Sequence, residues 1–179
     1  KSGTSVIGEE KSTKNYIINL GNMTLNGVQI YGSITSKQSS ILNYMFGSID
    51  KILVGNDAFF SINGGTVTDL TINDNSTIKI DGGFITTMND SNSSSSVTMN
   101  NGEIKTLKTS STMSTYNITG GTFKNSITLS GNSSEKRLVF NISNVVSNIY
   151  VSVGSFTDVD ASNSIFSNFS SSSYDKTNS

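Results

Sequence analysis

Residues Phe60 to Met88 read FSINGGTVTDLTINDNSTIKIDGGFITTM, and one motif occurs twice in this stretch. With x for any residue, the motif is apolar-x-apolar-x-Gly-Gly-x-apolar-x-x-apolar. Two further copies follow, VTMNNGEIKTL at Val97–Leu107 and YNITGGTF at Tyr116–Phe123. The last glycines of the four copies are 18, 19 and 19 residues apart, at Gly65, Gly83, Gly102 and Gly121. Because so short a unit cannot bury its apolar residues alone, the period predicts coils that stack on one another.

The apolar positions of the motif predict strands. Counted from the last glycine as position zero, apolar residues stand at −5 and −3 with a polar residue between them, which is the period of a strand with one buried face. Apolar residues recur at +2 and +5. The glycine pair between these segments predicts a sharp corner, because glycine accepts a positive φ and a close backbone approach. We therefore predict that positions −5, −3, +2 and +5 form the core.

Weaker copies extend the pattern in both directions. Gly27 and Gly47 are the predicted corners on the N-terminal side, and Asn144 and Ser164 are those on the C-terminal side. The gaps between copies vary in length and are polar, which predicts surface loops at one corner. These loops are Asp90–Ser96, Thr109–Thr115 and Gly131–Arg137.

The predicted fold is all-β, a single right-handed parallel β-helix (β-solenoid) of about eight coils of 18–20 residues, with short loops at one corner. Residues 1–179 form one domain, in which 1–15 and 170–179 are cap-like or frayed ends. An antiparallel sandwich is the main alternative, but it would not repeat with so tight a period. Ankyrin-like and leucine-rich repeats are disfavoured because the unit has no helical part.

Composition excludes several function classes. The net charge of −1 and the lack of a basic cluster argue against nucleic-acid binding. No apolar run is long enough to cross a bilayer, so we expect no membrane insertion by this segment. The chain lacks histidine and cysteine, which rules out Ser-His-Asp and Cys-His catalysis and ordinary zinc sites. It opens at Lys1 without a methionine or a signal-peptide pattern, which indicates a piece of a longer protein.

The remaining candidates for a catalytic or metal site are side chains with oxygen groups, chiefly carboxylates. Asp158 and Asp160 lie two residues apart and would share one strand face, as the carboxylates of polysaccharide-cleaving β-helices do, while Asp74 and Asp90 flank the variable loops. Asn73-Asp74-Asn75 could supply calcium ligands, but turn chemistry explains it without a metal. We read these residues as a solvated surface, and we assign no catalytic, cofactor-binding or metal-binding residue and no cofactor.

Two surface patterns bear on binding. The first is a set of threonines that suggests the flat, regular array required for ice binding, namely Thr66, Thr68, Thr71, Thr86 and Thr122. Charged residues stand at the equivalent positions Lys105, Lys108, Lys124 and Glu103 and interrupt the array, which disfavours ice binding. The second is a set of aromatic residues outside the core positions, which could stack on sugars. They are Tyr31, Phe59, Tyr150 and Tyr174.

The copies INGGTVTDLTI, IDGGFITTM and ITGGTFKNSITLSG resemble the nineteen-residue repeats in the β-helical passenger domains of bacterial autotransporter adhesins. The resemblance covers roughly Met45 to Leu129. It implies a β-helix displayed at the bacterial cell surface, where it acts as a stalk and an adhesive surface.

We therefore expect an extracellular, structural and adhesive module that mediates surface attachment or cell-cell contact and is not an enzyme. Its expected partner is a glycan or protein on a host or neighbouring cell, and self-association is possible. The alternatives are a glycan-binding or glycan-cleaving β-helix of the tail-spike kind and a self-assembling fibre subunit.

Overall fold

The computed structural model describes residues 4–7, 16–91, 94–132 and 137–171. These residues form sixteen β-strands and no helix. The strands are β1 (Thr4–Ile7), β2 (Tyr16–Asn19), β3 (Asn22–Ser36), β4 (Ile41–Val54), β5 (Phe59–Ile62), β6 (Thr66–Ile72), β7 (Thr77–Ile80), β8 (Phe84–Ser91), β9 (Ser96–Met99), β10 (Glu103–Ser110), β11 (Thr115–Ile118), β12 (Thr122–Leu129), β13 (Leu138–Ser143), β14 (Val146–Val153), β15 (Thr157–Ser162) and β16 (Ile165–Ser171).

The strands form two ladders in which every pairing is parallel. Ladder A contains β1, the first parts of β3 and β4, and then β5, β7, β9, β11, β13 and β15. Ladder B contains β2, the later parts of β3 and β4, and then β6, β8, β10, β12, β14 and β16. Rungs about 4.8 Å apart give eight steps and a length of about 38 Å. The predicted parallel β-solenoid of about eight coils is confirmed.

The corners between ladders A and B lie at the predicted glycines. Positive φ angles occur at Gly27, Gly47, Gly65, Gly83, Gly102 and Gly121. Asn144 takes the same role with a φ of 58°, as expected for a residue that tolerates the left-handed region. For the last coil the prediction was wrong by one residue. The left-handed corner is Asn163, with a φ of 48°, and not Ser164, because Ile165 pairs with Val146.

The predicted core positions of the four clearest copies are all buried, and Phe60, Ile62, Val67 and Leu70 are examples with no exposed surface. Ladder B strands bend between +2 and +5, because two consecutive residues point outward there, such as Thr68 and Asp69 in β6. In β12 the bend holds one extra residue, and Thr106 of β10 accordingly pairs with Ser126. Each coil therefore has three short straight segments around one continuous core.

Two further core columns were not predicted. One precedes ladder A and is made of small residues, namely Ser40, Ala58, Ser76, Ser95 and Ser114. The other ends ladder B and contains Val54, Ile72, Asp90, Thr109, Leu129 and Val153. The prediction that Asp90–Ser96 and Thr109–Thr115 lie wholly in surface loops was therefore wrong at their ends. Their first residues complete ladder B strands, and Ser95 and Ser114 are enclosed by the neighbouring coils.

The variable segments all connect the end of a ladder B strand to the next ladder A strand, so they lie at one corner, as predicted. Of the predicted N-terminal end, residues 4–7 form a strand that pairs with β3. The rest of 1–15 lies outside the described residues, as do 172–179.

Candidate functional site

The carboxylates considered from the sequence lie in separate environments. Asp158 and Asp160 both project outward from β15, as their spacing predicted. The carboxylate of Asp158 accepts a hydrogen bond from Arg137 Nε at 2.7 Å, which forms an ion pair across one coil. Asp160 makes no ion pair among the described residues and lies beside a depression on ladder A. The two acids therefore share a strand face but not a role.

The other two acids serve the fold. Asp74 has a φ of 55° in the turn after β6, and its carboxylate accepts a hydrogen bond from the backbone N–H of Asn56 at 3.1 Å. Asp90 is only 2% exposed and accepts a hydrogen bond from the Tyr116 hydroxyl at 2.7 Å. Burial, followed by the adjacent charge of Asp90, raises the pKa of Tyr116 well above its usual value. This polar contact joins two coils inside the core.

The Asn73–Asn75 segment forms a turn between β6 and β7. The Ser76 hydroxyl donates to the carbonyl oxygen of Asn73 at 2.5 Å, and the Ser94 hydroxyl donates to the side-chain oxygen of Asn75. In the part of the chain that the structure describes, no three His, Cys, Asp or Glu side chains are placed to hold one metal ion. The first bond closes the turn itself, and the second ties this turn to the following one.

A depression of about 120 Å³ lies on the outer face of ladder A in the last three coils. Two columns of outward-facing side chains border it, one on each side of the buried Ile118 and Ile142. We call this depression the ladder A groove and define it by Asn117, Asn141 and Asp160 in one column and Thr119, Ser143 and Ser162 in the other. Residues two apart in a strand are about 6.7 Å apart, which sets the width of the groove.

An ion pair closes the corresponding space earlier in the rod. In β7 and the corner after it, Lys79 and Asp81 occupy the same two columns, and Lys79 Nζ lies 2.7 Å from Asp81 Oδ2. The hydrogen bond from Lys79, and then that from Asn100, lowers the pKa of Asp81. In the last three coils both columns carry short side chains, and no ion pair among the described residues bridges them.

Hydrogen bonds along the columns hold the groove residues in position. Asn141 Nδ2 donates to Asn117 Oδ1 at 2.9 Å, which orients both amides along the rod. Thr119 donates to the side-chain oxygen of Asn100 at 3.0 Å at the N-terminal margin. The groove therefore presents amide N–H groups, amide and carboxylate oxygens and hydroxyls, with one negative charge and no cation among its lining residues.

The predicted aromatic residues lie away from this groove. Tyr31 and Tyr150 are 48% and 50% exposed, as predicted, and both belong to ladder B. Phe59 is only half-buried on ladder A, and Tyr174 lies outside the described residues. Sequence reasoning missed Tyr16 and Phe46, which are the most exposed aromatic side chains of the described chain at 65% each.

The threonine array on ladder B is interrupted as predicted. Thr66 is followed in register by Phe84, Glu103 and Thr122, and Glu103 forms an ion pair with Lys124 at 3.2 Å. A second column runs from Thr71 through Asn89 and Lys108 to Thr128. Charged and bulky side chains therefore break the flat hydroxyl surface.

Sequence reasoning also missed the groove. Asn117 was recognised as an outward-facing residue, but its alignment with Asn141 skips 24 residues because the Gly131–Arg137 insertion lies between them. Short side chains at these positions are not a distinct signal, because Thr98 and Asn100 of the coil before the groove are equally short.

Comparison with protein-family models, curated proteins and solved structures finds no match for this chain. None of the described residues forms a helix that is long and apolar enough to cross a membrane. The chain forms a parallel β-solenoid built from repeats of about nineteen residues.

Proposed function

We propose that this chain is a rigid, non-enzymatic β-helix segment of a bacterial surface or secreted protein, where it acts as a stalk and an adhesive surface. The observation that carries the proposal is the contrast between the core and the outer surface. The core is continuous and apolar, and the outer face is covered by small hydroxyl and amide side chains with few charges. Such a rod suits repeated weak contacts with another surface, whose combined strength comes from multivalency.

The resemblance to autotransporter passenger domains supports this proposal through its repeat. The resemblance rests on the glycine-cornered copies, and it implies a β-helix displayed outside the cell that acts as a stalk and an adhesive surface. The partner we propose is a glycan or protein on a host or neighbouring cell, and a second copy of the chain is a further candidate partner.

Glycan cleavage is the less favoured alternative. Cleavage requires two carboxylates that face one another across a bound sugar, about 5–9.5 Å apart. Asp158 is held by Arg137, and the ladder A groove has one carboxylate, Asp160. Glycan binding without cleavage is the second function that the groove favours.

Bead adherence tests the adhesive role. Beads coated with the purified chain should adhere to bacterial or epithelial cell layers several-fold more than beads coated with serum albumin at the same density. Light scattering on the purified chain in solution, without beads, would reveal self-association. Adherence no greater than that of the albumin beads, together with a monomer in light scattering, would refute the proposal.

A further inference from the structure

The ladder A groove is a site that the adhesive role does not by itself require. Its two columns are about 6.7 Å apart, and its three rungs span about 10 Å along the rod. Enclosed pockets for drug-sized ligands have volumes of about 300–1,000 Å³, so a groove of about 120 Å³ takes a narrow ligand that lies along it.

The groups of the groove match hydroxyls. Asn117 and Asn141 present amide donors and acceptors, the Ser143 hydroxyl can accept while it donates to the Ile118 carbonyl oxygen at 3.5 Å, and the Ser162 hydroxyl can both donate and accept. The Asp160 carboxylate accepts strong, charge-assisted hydrogen bonds from hydroxyls. A ligand with many hydroxyls and no negative charge satisfies this set, whereas an acidic ligand is repelled by Asp160 and meets no cation among the lining residues.

A divalent cation fits less well. Calcium sites collect about six to eight oxygen ligands, usually with several carboxylates. The groove supplies a single carboxylate, and the Asn117 side-chain oxygen already accepts a hydrogen bond from Asn141.

We propose that the ladder A groove is a binding site for a neutral saccharide that lies along the rod. This inference rests on the adhesive role proposed above, to which it adds a ligand class and a location. Binding is weak at one site, because the groove is open and lacks an aromatic platform, and it becomes effective when many copies are displayed.

A groove-closing variant provides the test. N141K/S143D copies the bridging Lys79–Asp81 pair into the groove, at equivalent positions of a later coil. N43K/M45D introduces the same pair into the same two columns near the other end of the rod, and it is the matched control. Each variant also removes one asparagine that hydrogen-bonds along its column, since Asn141 donates to Asn117 and Asn43 accepts from Ser61.

The measurement is nitrogen-15 NMR titration of the full chain with maltotetraose, cellotetraose, mannotetraose and N-acetylchitotetraose, and with tetragalacturonate as the acidic comparison. At least one neutral tetrasaccharide should shift the amide signals of 117–119, 141–143 and 160–162 in a saturable way. N141K/S143D should weaken that binding at least about tenfold, since two or more hydrogen bonds are lost, and N43K/M45D should leave it unchanged.

The inference is overturned if no neutral tetrasaccharide shifts these signals, if only tetragalacturonate does, or if the groove-closing variant binds as the parent does. Bead adherence separates the two proposals. Adherence that persists in N141K/S143D without saccharide binding leaves the adhesive role standing and removes the groove as its site. Saccharide binding by a chain whose beads do not adhere leaves the groove standing as a saccharide site and removes the adhesive role.

Discussion

At the scale of single residues, the corner glycines carry the sharpest structural requirement. Gly65 has a φ of 75°, and a Cβ atom there would lie 2.8 Å from both the backbone nitrogen and the oxygen of Gly47 in the coil before it. Gly65 is therefore required for two reasons, its left-handed backbone conformation and its close approach to the backbone of the preceding coil. Stacking brings the backbones of these two coils together at Gly65, and a side chain at this position would hold them apart.

Replacing Gly65 by alanine should lower the free energy of unfolding by about 1–3 kcal/mol, the usual cost of backbone strain at such a position. Gly21→Ala is the matched control, because an added Cβ at Gly21 meets no atom within 4 Å. Urea denaturation followed by circular dichroism measures both. Equal stability of the two variants would contradict the requirement for glycine at the corner.

Two buried tyrosines make stability depend on alkaline pH. Burial raises the pKa of Tyr44 to about 12, against the opposing hydrogen bond with the Thr66 backbone, and burial also raises the pKa of Tyr116 well above its usual value. In the unfolded chain both hydroxyls ionise near pH 10. Ionisation therefore favours unfolding, so stability is fully present below pH 10 and is lost as the pH rises toward 12.

Stability measured by urea denaturation should accordingly be level from pH 8 to about 10 and fall between about 10 and 12. Tyr44→Phe removes one of the titrating groups, so the fall should be smaller in that variant even if its stability at pH 8 is lower. A fall of the same size in the parent and the variant would show that Tyr44 does not contribute.

At the scale of elements, the buried column that ends ladder B contains a polar contact between coils. From Val54 to Val153 its members are aliphatic except for Asp90 and Thr109, which occupy it in two adjacent coils, and its first members are the buried Asn19 and Ser36. The Tyr116 hydroxyl donates a hydrogen bond to the Asp90 carboxylate, and its ring packs against Phe140 with centroids 5.6 Å apart. This arrangement satisfies the buried carboxylate of Asp90 among the aliphatic members of the column and links ladder A to ladder B.

Tyr116→Phe should lower the free energy of unfolding by about 1–3 kcal/mol, because it removes a donor from a buried carboxylate. The double variant D90V/Y116F should recover much of that loss, since valine already occupies this column at Val54 and Val153. Tyr150→Phe, at an exposed hydroxyl, serves as the control and should change stability by no more than about 0.5 kcal/mol. A double variant less stable than Tyr116→Phe would contradict this account of the pair.

At the scale of the whole molecule, the rod is a stack in which each coil pairs only with the coils before and after it. Stability is then close to a sum of coil terms and nearest-neighbour interfaces. No single coil closes the structure, so the number of coils sets the length of the rod without changing its cross-section.

Deleting residues 66–83 removes one complete coil and joins Gly65 to Phe84, so that every remaining rung keeps its register. The shortened chain should fold with an unchanged circular dichroism spectrum per residue and a lower unfolding midpoint, because one interface is lost. Deleting 66–74 is the control and should abolish cooperative unfolding, since half a coil puts ladder A residues opposite ladder B residues. A shortened chain that cannot fold would show that the coils are not interchangeable.

The sequence by itself determined the coil. The alternation around Phe60 and Ile62 and the corner at Gly65 follow from residues a few positions apart, and the nineteen-residue period is the recurrence of this local pattern along the chain. The tertiary structure decided what happens between coils. Asp90 is buried because aliphatic columns and Tyr116 enclose it, and the ladder A groove exists because Asn117, Asn141 and Asp160 stack in register across an insertion. The repeat indicates which residues of one coil are buried and which form its corner. The burial of Asp90 and the ladder A groove depend instead on neighbours about nineteen or more residues away in sequence. The length of the intervening loop fixes which of these residues lie in register.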